Sequence, residues 1–242
     1  MPNNTEKWYA DWFDTSYYHT LYKNRNDKEA QAFMDRITQY LSIQSDETIL
    51  DLACGKGRYS VYLNKLGYQV TGVDLSQNSI SYAKQFQNER LSFGVHDMTQ
   101  PYSQSFDFVF NIFTSFGYFE DEQDNYNTVK AIKSNLKPNG IGVIDFLNAD
   151  FIIENLVPQE TKEVDGIVFN IRRYVENGFI IKEISFTDQG QDYFFTEKVK
   201  ALKLEDFQKY FESSGLTLLE TFGNYQLDKY LPNSPRLILI FQ

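Results

Sequence analysis

The spacing of apolar residues changes character three times along this chain. Residues 1–25 are rich in aromatics and Asp/Asn and hold no clean period, whereas Ala30, Phe33, Met34, Ile37 and Leu41 form one stripe at helical spacing. Asn26 with Glu29 three positions later reads as a capping box for that helix. From Thr48 onward, short apolar runs alternate with helical stretches. Strands are predicted at 48–53, 68–75, 91–96, 106–112 and 140–146. Helices are predicted from the turn after 54 to Leu66, stopped by Gly67, after Ser76, and across 121–136. Strands and helices interleaved at this length predict right-handed crossovers and an α/β, Rossmann-like, doubly wound, seven-stranded, mostly parallel sheet.

After Asn148 the runs become strand-like and adjacent: 167–175, 179–187 and 193–201, joined by Glu176-Asn177-Gly178 and by Asp188-Gln189-Gly190-Gln191. Asn-Gly between alternating runs is a strong hairpin signal, so an antiparallel β insertion of about three strands is expected before the last helix. That helix spans 204–214 and stops at Gly215; strands at 217–222 and 235–241 follow. The expected organisation is a helical lid or cap over 1–45, a core of 46–148 and 202–242, and an insertion over 149–201. The insertion would serve as a substrate roof or as the contact of a homodimer. No internal repeat is visible.

Composition narrows the function. The chain has 242 residues, 42% hydrophobic and 23% charged, with 17 Tyr and 21 Phe, ample material for one large core. A formal charge of -10 opposes a phosphate backbone, so nucleic acid is not expected as a partner. A single cysteine, Cys54, excludes an intramolecular disulfide and a multi-cysteine zinc site, and no metal is expected. The first residues carry neither a basic nor an apolar leader region, and no apolar run approaches a bilayer span. No membrane partner and a cytoplasmic location are therefore expected.

The chemistry concentrates in Ile49-Leu-Asp-Leu-Ala-Cys-Gly-Lys-Gly-Arg58, an apolar strand that ends in a glycine-bearing turn and opens a helix. Gly55 and Gly57 permit a tight turn and close approach of backbone to a ligand, and the helix start offers unpaired N–H groups. The next strand ends in Asp74, placed to accept from ribose hydroxyls. Asp51 at the strand end would repel a pyrophosphate and attract a cation. A nucleoside with a positive charge and no phosphate fits this pattern.

These features resemble a class I S-adenosylmethionine-dependent methyltransferase, by motif over 48–146 and by layout over most of the rest. Asp51-x-Ala53-x-Gly55-x-Gly57 is similar to that family's acid-x-Gly-x-Gly-x-Gly loop, with Ala53 replacing the first glycine. Asp74 matches the acid on the ribose. His96-Asp97-Met98 resembles the segment meeting the adenine, with Asp97 as acceptor for its amino group. Leu136-Lys-Pro-Asn-Gly140 followed by Ile-Gly-Val-Ile-Asp145 is similar to the turn and strand after the fourth crossover. The resemblance implies S-adenosylmethionine as cofactor and S-adenosylhomocysteine as product. It implies binding by Asp51, Ala53, Cys54, Gly55, Gly57, Asp74, Leu75, Asp97, Met98, Asn111, Phe113 and Tyr22.

The end of the fourth strand reads Asn111-Ile-Phe-Thr-Ser-Phe-Gly-Tyr118, without the Asn/Asp-Pro-Pro-aromatic signature of base-methylating enzymes. With the acidic charge, this points to a small-molecule acceptor. The segment 113–118, the insertion and the Tyr-rich N-terminus resemble glycine N-methyltransferase and amino-sugar N-methyltransferases. Methyl transfer to N or O needs alignment and, for a protonated nucleophile, a base. His19 and Tyr18 are the candidate catalytic residues, and Arg25 is a candidate carboxylate partner. A non-catalytic methyltransferase-like module and a protein methyltransferase remain as alternatives. A dinucleotide oxidoreductase is disfavoured by the lack of a suitably placed Tyr-x-x-x-Lys.

Overall fold

A computed structural model describes residues 8–23 and 27–242; Arg25 and the Asn26 half of the capping box lie outside them. The chain begins with two short helices, α1 (Trp8–Phe13) and α2 (Ser16–Leu21), and then α3 (Asp27–Tyr40). There follow β1 (Thr48–Leu52), α4 (Arg58–Lys65), β2 (Gln69–Asp74), α5 (Gln77–Ala83), β3 (Leu91–Val95), β4 (Phe106–Asn111), α6 (Glu122–Asn135) and β5 (Leu136–Leu147). The remainder comprises α7 (Ala149–Glu154), β6 (Gln159–Val164), β7 (Ile167–Glu176), β8 (Phe179–Asp188), β9 (Gln191–Lys200), α8 (Leu204–Ser214), β10 (Leu218–Phe222) and β11 (Arg236–Phe241).

Local chemistry explains most boundaries. The Ser76 hydroxyl accepts from the Ser79 N–H at 2.9 Å and starts α5. Asp121 does the same for Gln123 at the head of α6. Gly215, at φ 66°, ends α8 in the left-handed conformation that glycine tolerates best.

Seven strands form one sheet in the order β10-β11-β5-β4-β1-β2-β3. The pairs from β3 to β5 are parallel, and β11 runs antiparallel to both β5 and β10. This is the mostly parallel, doubly wound sheet that the alternation predicts. Both faces are covered, so central strands are apolar without alternation. Ile49, Phe110, Val143 and Ile238 pack under Phe33, Met34, Leu63 and Ile80 of α3 to α5. Leu50, Val109, Ile144 and Leu239 pack on the other face with Val129, Ile132, Phe207 and Phe211 of α6 and α8.

A second, antiparallel sheet has the order β6-β7-β8-β9, four strands rather than the expected three. The extra strand, Gln-Glu-Thr-Lys-Glu-Val, buries only Val164, so its edge position leaves no apolar rhythm to read. Asp165-Gly166, Asn177-Gly178 and Gln189-Gly190 all have both residues at positive φ, the requirement of a type I′ hairpin. The inner face of this sheet carries Phe169, Ile171, Ile184 and Phe186, which pack against Trp12 and Leu21 of the N-terminal helices. The N-terminal segment is thus tied to a sheet formed more than a hundred residues later.

Candidate functional site

β1 is a buried strand whose last turn carries one charge. Asp51 is 2% exposed and accepts from the Ser60 hydroxyl, one turn into α4, at 2.5 Å. Burial pushes its pKa up to about 6, with Asp74 adding repulsion and the Ser60 bonds opposing. Beyond β1 the backbone turns through left-handed conformations at Ala53 (φ 65°), Gly55 (φ 55°) and Gly57 (φ 74°). Ala53 bears this at a cost of about 1–2 kcal/mol that a glycine would avoid.

The two glycines serve different purposes. A Cβ built on Gly55 meets nothing within 4 Å, because that position opens onto a cavity. A Cβ on Gly57 would lie 2.5 Å from the Phe93 ring, so Gly57 lets α4 settle on β3 and does not border the cavity. Asp74, ending β2, locks the loop: one carboxylate oxygen accepts from the Gly55 N–H at 2.7 Å and the other from the Ser76 N–H at 2.9 Å. Burial raises the pKa of Asp74, and it lifts the Cys54 thiol well above the ordinary range, with Asp51 and Asp74 adding to the rise. Cys54 borders the cavity as an un-ionised thiol.

The cavity has a volume of about 600 Å³ and lies beyond the carboxyl ends of β1, β4 and β5, where the strand order reverses. Asp51, Ala53, Cys54, Gly55, Asp74 and Phe113 line it, together with Tyr18, His19 and Tyr22. A smaller space of about 70 Å³ shares Ala53, Asp74 and Tyr118 with it and is walled by Leu75, His96, Asp97 and Met98. The Oδ1 of Asp97 accepts from both the N–H and the hydroxyl of Thr99, at 3.0 and 2.9 Å, which fixes the carboxylate at that wall. Asn111 borders neither space: it is fully buried, and its Nδ2 donates to the Leu52 carbonyl at 3.1 Å, bracing β4 against β1.

Residues 8–23 roof the cavity. Trp12 Nε1 and the Tyr22 hydroxyl donate to Glu197 Oε1 of β9 at 2.8 and 2.5 Å, and Lys182 stands 3.4 Å from Oε2. Tyr17 donates to Asp188 at 2.9 Å. On the opposite side Asp14 accepts from the Ser76 hydroxyl and from Asn78 Nδ2. Tyr18 contacts Trp12, Phe13 and Tyr22 edge to face or tilted, with centroids 4.9–5.7 Å apart. The Tyr22 hydroxyl, tied to Glu197 and Lys182, serves the roof.

The wall at the ends of β4 and β5 has a polar knot that sequence reasoning missed. Phe113 and Thr114 both adopt positive φ, 60° and 61°, which costs a bulky and a β-branched residue roughly 1–3 kcal/mol each. Asp145, 0% exposed on β5, holds them there. Its Oδ2 accepts from the Phe113 N–H at 2.8 Å and from Tyr225 at 3.2 Å; its backbone carbonyl takes the Thr114 N–H at 2.9 Å. Its Oδ1 pairs with Arg236 of β11, at 2.8 Å from Nε and 2.7 Å from Nη2. Arg236 Nη2 also donates to the Thr114 hydroxyl at 3.0 Å. Burial is the largest influence and works against the guanidinium charge, but Asp145, with Tyr225 and Tyr118 adding to it, raises the pKa of Arg236 overall. Glu197, Asp14 and Arg236 were absent from the sequence-derived site. The readable signal was a lone arginine heading the otherwise apolar strand Leu-Ile-Leu-Ile-Phe.

Among the described residues, no cluster of His, Cys, Asp and Glu is arranged to hold a metal, and no helix is long and apolar enough to cross a membrane. The cavity fits an adenosyl sulfonium. Gly55 leaves open the space a side chain would fill, Asp74 presents a half-buried carboxylate beside it, and the buried Asp51 supplies negative charge to the loop end.

Comparisons with known proteins agree with this geometry. Residues 49–140 match the Methyltransferase domain family. The putative methyltransferase YqeM of Bacillus subtilis is 33% identical over 138 residues, 54% of this chain; the match spans 56%, about half, of that protein. The glycine/sarcosine N-methyltransferase of Aphanothece halophytica is 25% identical over 214 residues, 84% of this chain and 77% of that protein. An S-adenosylmethionine-dependent methyltransferase structure from Clostridium acetobutylicum superposes with a TM-score of 0.78 at 21% identity, covering 93% of this chain and 95% of that one. The loop, the sheet and these matches together support a methyltransferase domain over 49–140 on a fold shared with class I S-adenosylmethionine-dependent methyltransferases.

Proposed function

We propose that this chain methylates a nitrogen or oxygen of a small molecule held in the larger part of the cavity. The observation that carries the reading is one continuous cleft, about 600 Å³, bordered at one end by the glycine loop and Asp74 and at the other by Thr114 and Arg236. Such a volume accommodates a cofactor and a small acceptor together. S-adenosylmethionine supplies a methyl group on a sulfonium, transferred by in-line displacement to the acceptor atom.

In this reading Asp74 accepts from the ribose hydroxyls and Asp97, beside Leu75 and Met98, accepts from the adenine amino group. The backbone of 53–55 carries the methionyl end, with Asp51 as the countercharge. Cys54 and Phe113 shape the wall by packing. Gly57 and Asn111 act one layer back, supporting the loop and β1. Residues 8–23 act as a lid that excludes water and brings aromatic faces to a cationic centre. His19 and Tyr18, at the cavity roof, are the groups placed to take a proton from the acceptor. The antiparallel sheet holds the lid through Glu197 and Asp188. The similarity to a glycine/sarcosine N-methyltransferase supports a small acceptor.

Calorimetric titration with S-adenosylmethionine, S-adenosylhomocysteine and NAD in parallel tests the reading. Micromolar binding of both adenosyl ligands and none of NAD is expected. Absence of adenosyl binding would refute it.

A further inference from the structure

The knot at the ends of β4 and β5 holds two hydrogen-bond donors that no described residue uses. Arg236 engages Asp145 and Thr114 through Nε and Nη2 alone, and Nη1 has no hydrogen bond to a described residue. The Thr114 hydroxyl accepts from Arg236, so its own proton is left to donate. Both residues border the cavity. The lining around them includes Phe113, Leu147, Ile152 and Tyr118, apolar or aromatic, and Ser115, whose hydroxyl donates to the Ile112 carbonyl.

Asp145 does not fill the need. Its Oδ1 faces the Nε and Nη2 side of the fork, and its Oδ2 is occupied by the Phe113 N–H and the Tyr225 hydroxyl. Two left-handed residues in succession, Phe113 and Thr114, are what bring the hydroxyl beside the guanidinium. A cationic N–H pair next to a hydroxyl donor, among apolar and aromatic side chains, matches the two oxygens of a carboxylate better than any neutral group.

We propose that Arg236 and Thr114 form a carboxylate-binding subsite in the acceptor half of the cavity, and that the methyl acceptor is therefore a small carboxylic acid. The inference rests on the methyl-transfer reading for the word acceptor. The subsite itself rests only on the knot. Asp145 is its positioning residue: it orients the guanidinium and holds the 113–114 turn, and touches no ligand itself.

The test uses the full chain labelled with ¹⁵N-arginine, with and without saturating S-adenosylhomocysteine. Acetate and its neutral isostere acetamide are titrated at matched ionic strength while the Arg236 side-chain resonance is followed. Acetate is expected to shift that resonance saturably, with acetamide at least about tenfold weaker. Thr114→Val, which leaves the ion pair in place, should weaken acetate about tenfold, and Thr114→Ser should restore it. The double variant Asp145→Asn/Arg236→Gln, which replaces the ion pair with a neutral pair, should abolish acetate binding without requiring a lone buried charge. An unmoved Arg236 resonance, or equal binding of acetate and acetamide, overturns the proposal. Acetate binding at Arg236 without any S-adenosylhomocysteine binding would sink the methyl-transfer reading and the acceptor assignment, and leave the carboxylate subsite standing.

Discussion

The two ends of the cavity are built by opposite strategies. The loop end comes from one continuous stretch, 48–76, in which the polar contacts are short-range: Gly55 and Ser76 to Asp74, Ser60 to Asp51. The far end and the roof join pieces that are remote in sequence. Trp12 and Glu197 are 185 positions apart, Tyr22 and Glu197 are 175 apart, and Asp145 and Arg236 are 91 apart. Backbone geometry does the work at the first end; paired, buried side chains do it at the second. A loop of the first kind can host one ligand under many different roofs. In the second kind a single truncation leaves a partner stranded in the interior.

That contrast is sharpest at Asp145. Asp145→Ala would leave the Arg236 charge without its counterion and release the 113–114 turn. A loss of about 3–5 kcal/mol in denaturant-unfolding stability is expected, with cofactor affinity retained in the folded fraction. At the loop end the largest stability effect should run the other way. Asp51 has a pKa of about 6 in the folded chain against 3.8 for a free side chain. The folded state therefore holds the proton more tightly, and the stability present below about pH 4 is lost as pH rises through about 6. Across that window the loss is at most roughly 3 kcal/mol. Asp51→Asn should flatten the profile and stabilise the chain at pH 7 by about 1–3 kcal/mol, while S-adenosylmethionine affinity falls. Unchanged affinity in that variant would remove Asp51 from the site.

The two loop glycines offer a paired test. Gly57→Ala pushes a methyl into Phe93 and should cost about 1–3 kcal/mol of stability. Gly55→Ala meets no protein atom but puts an alanine at φ 55°, so it should cost only the backbone strain of about 1–2 kcal/mol in stability and, in addition, weaken the cofactor. If Gly55→Ala leaves cofactor affinity unchanged in the folded protein, Gly55 does not face a ligand. Asp74→Ala should weaken S-adenosylhomocysteine by about 1–3 kcal/mol in calorimetry. Smallest is Tyr22→Phe, about 0.5–1.5 kcal/mol, read as faster proteolysis of residues 8–23 if the roof is held as described.

The same contrast decides what could be read from residues alone. Asp51, Gly55, Asp74 and the βαβ order follow from period and spacing, because strand, turn and helix are local. Gly57 lies in the loop motif and Asn111 at the end of β4, but neither borders the cavity, and linear spacing does not say on which side of a turn a residue lands. Glu197 sits in a strand with no fully buried position, which looks like an ordinary solvated face until Trp12 and Tyr22 are folded over it. β6 was invisible because an edge strand with one buried residue carries no apolar signature. Arg236 was visible as an anomaly, but its partner was unreadable across so long a separation.

The position of β11 has a kinetic consequence. This strand lies between β5 and β10, so its pairing closes a loop that contains the entire four-stranded sheet. Closure of that length is slow beside the three tight hairpins enclosed within it. During refolding, the hairpin sheet and the β1-to-β5 crossovers should consolidate first and β11 should dock last. Until it docks, the chain would already hold Asp51, Gly55 and Asp74 in place and would lack Arg236 altogether. Competence for the nucleoside would then precede competence for its co-substrate, an order that pulsed hydrogen exchange can time.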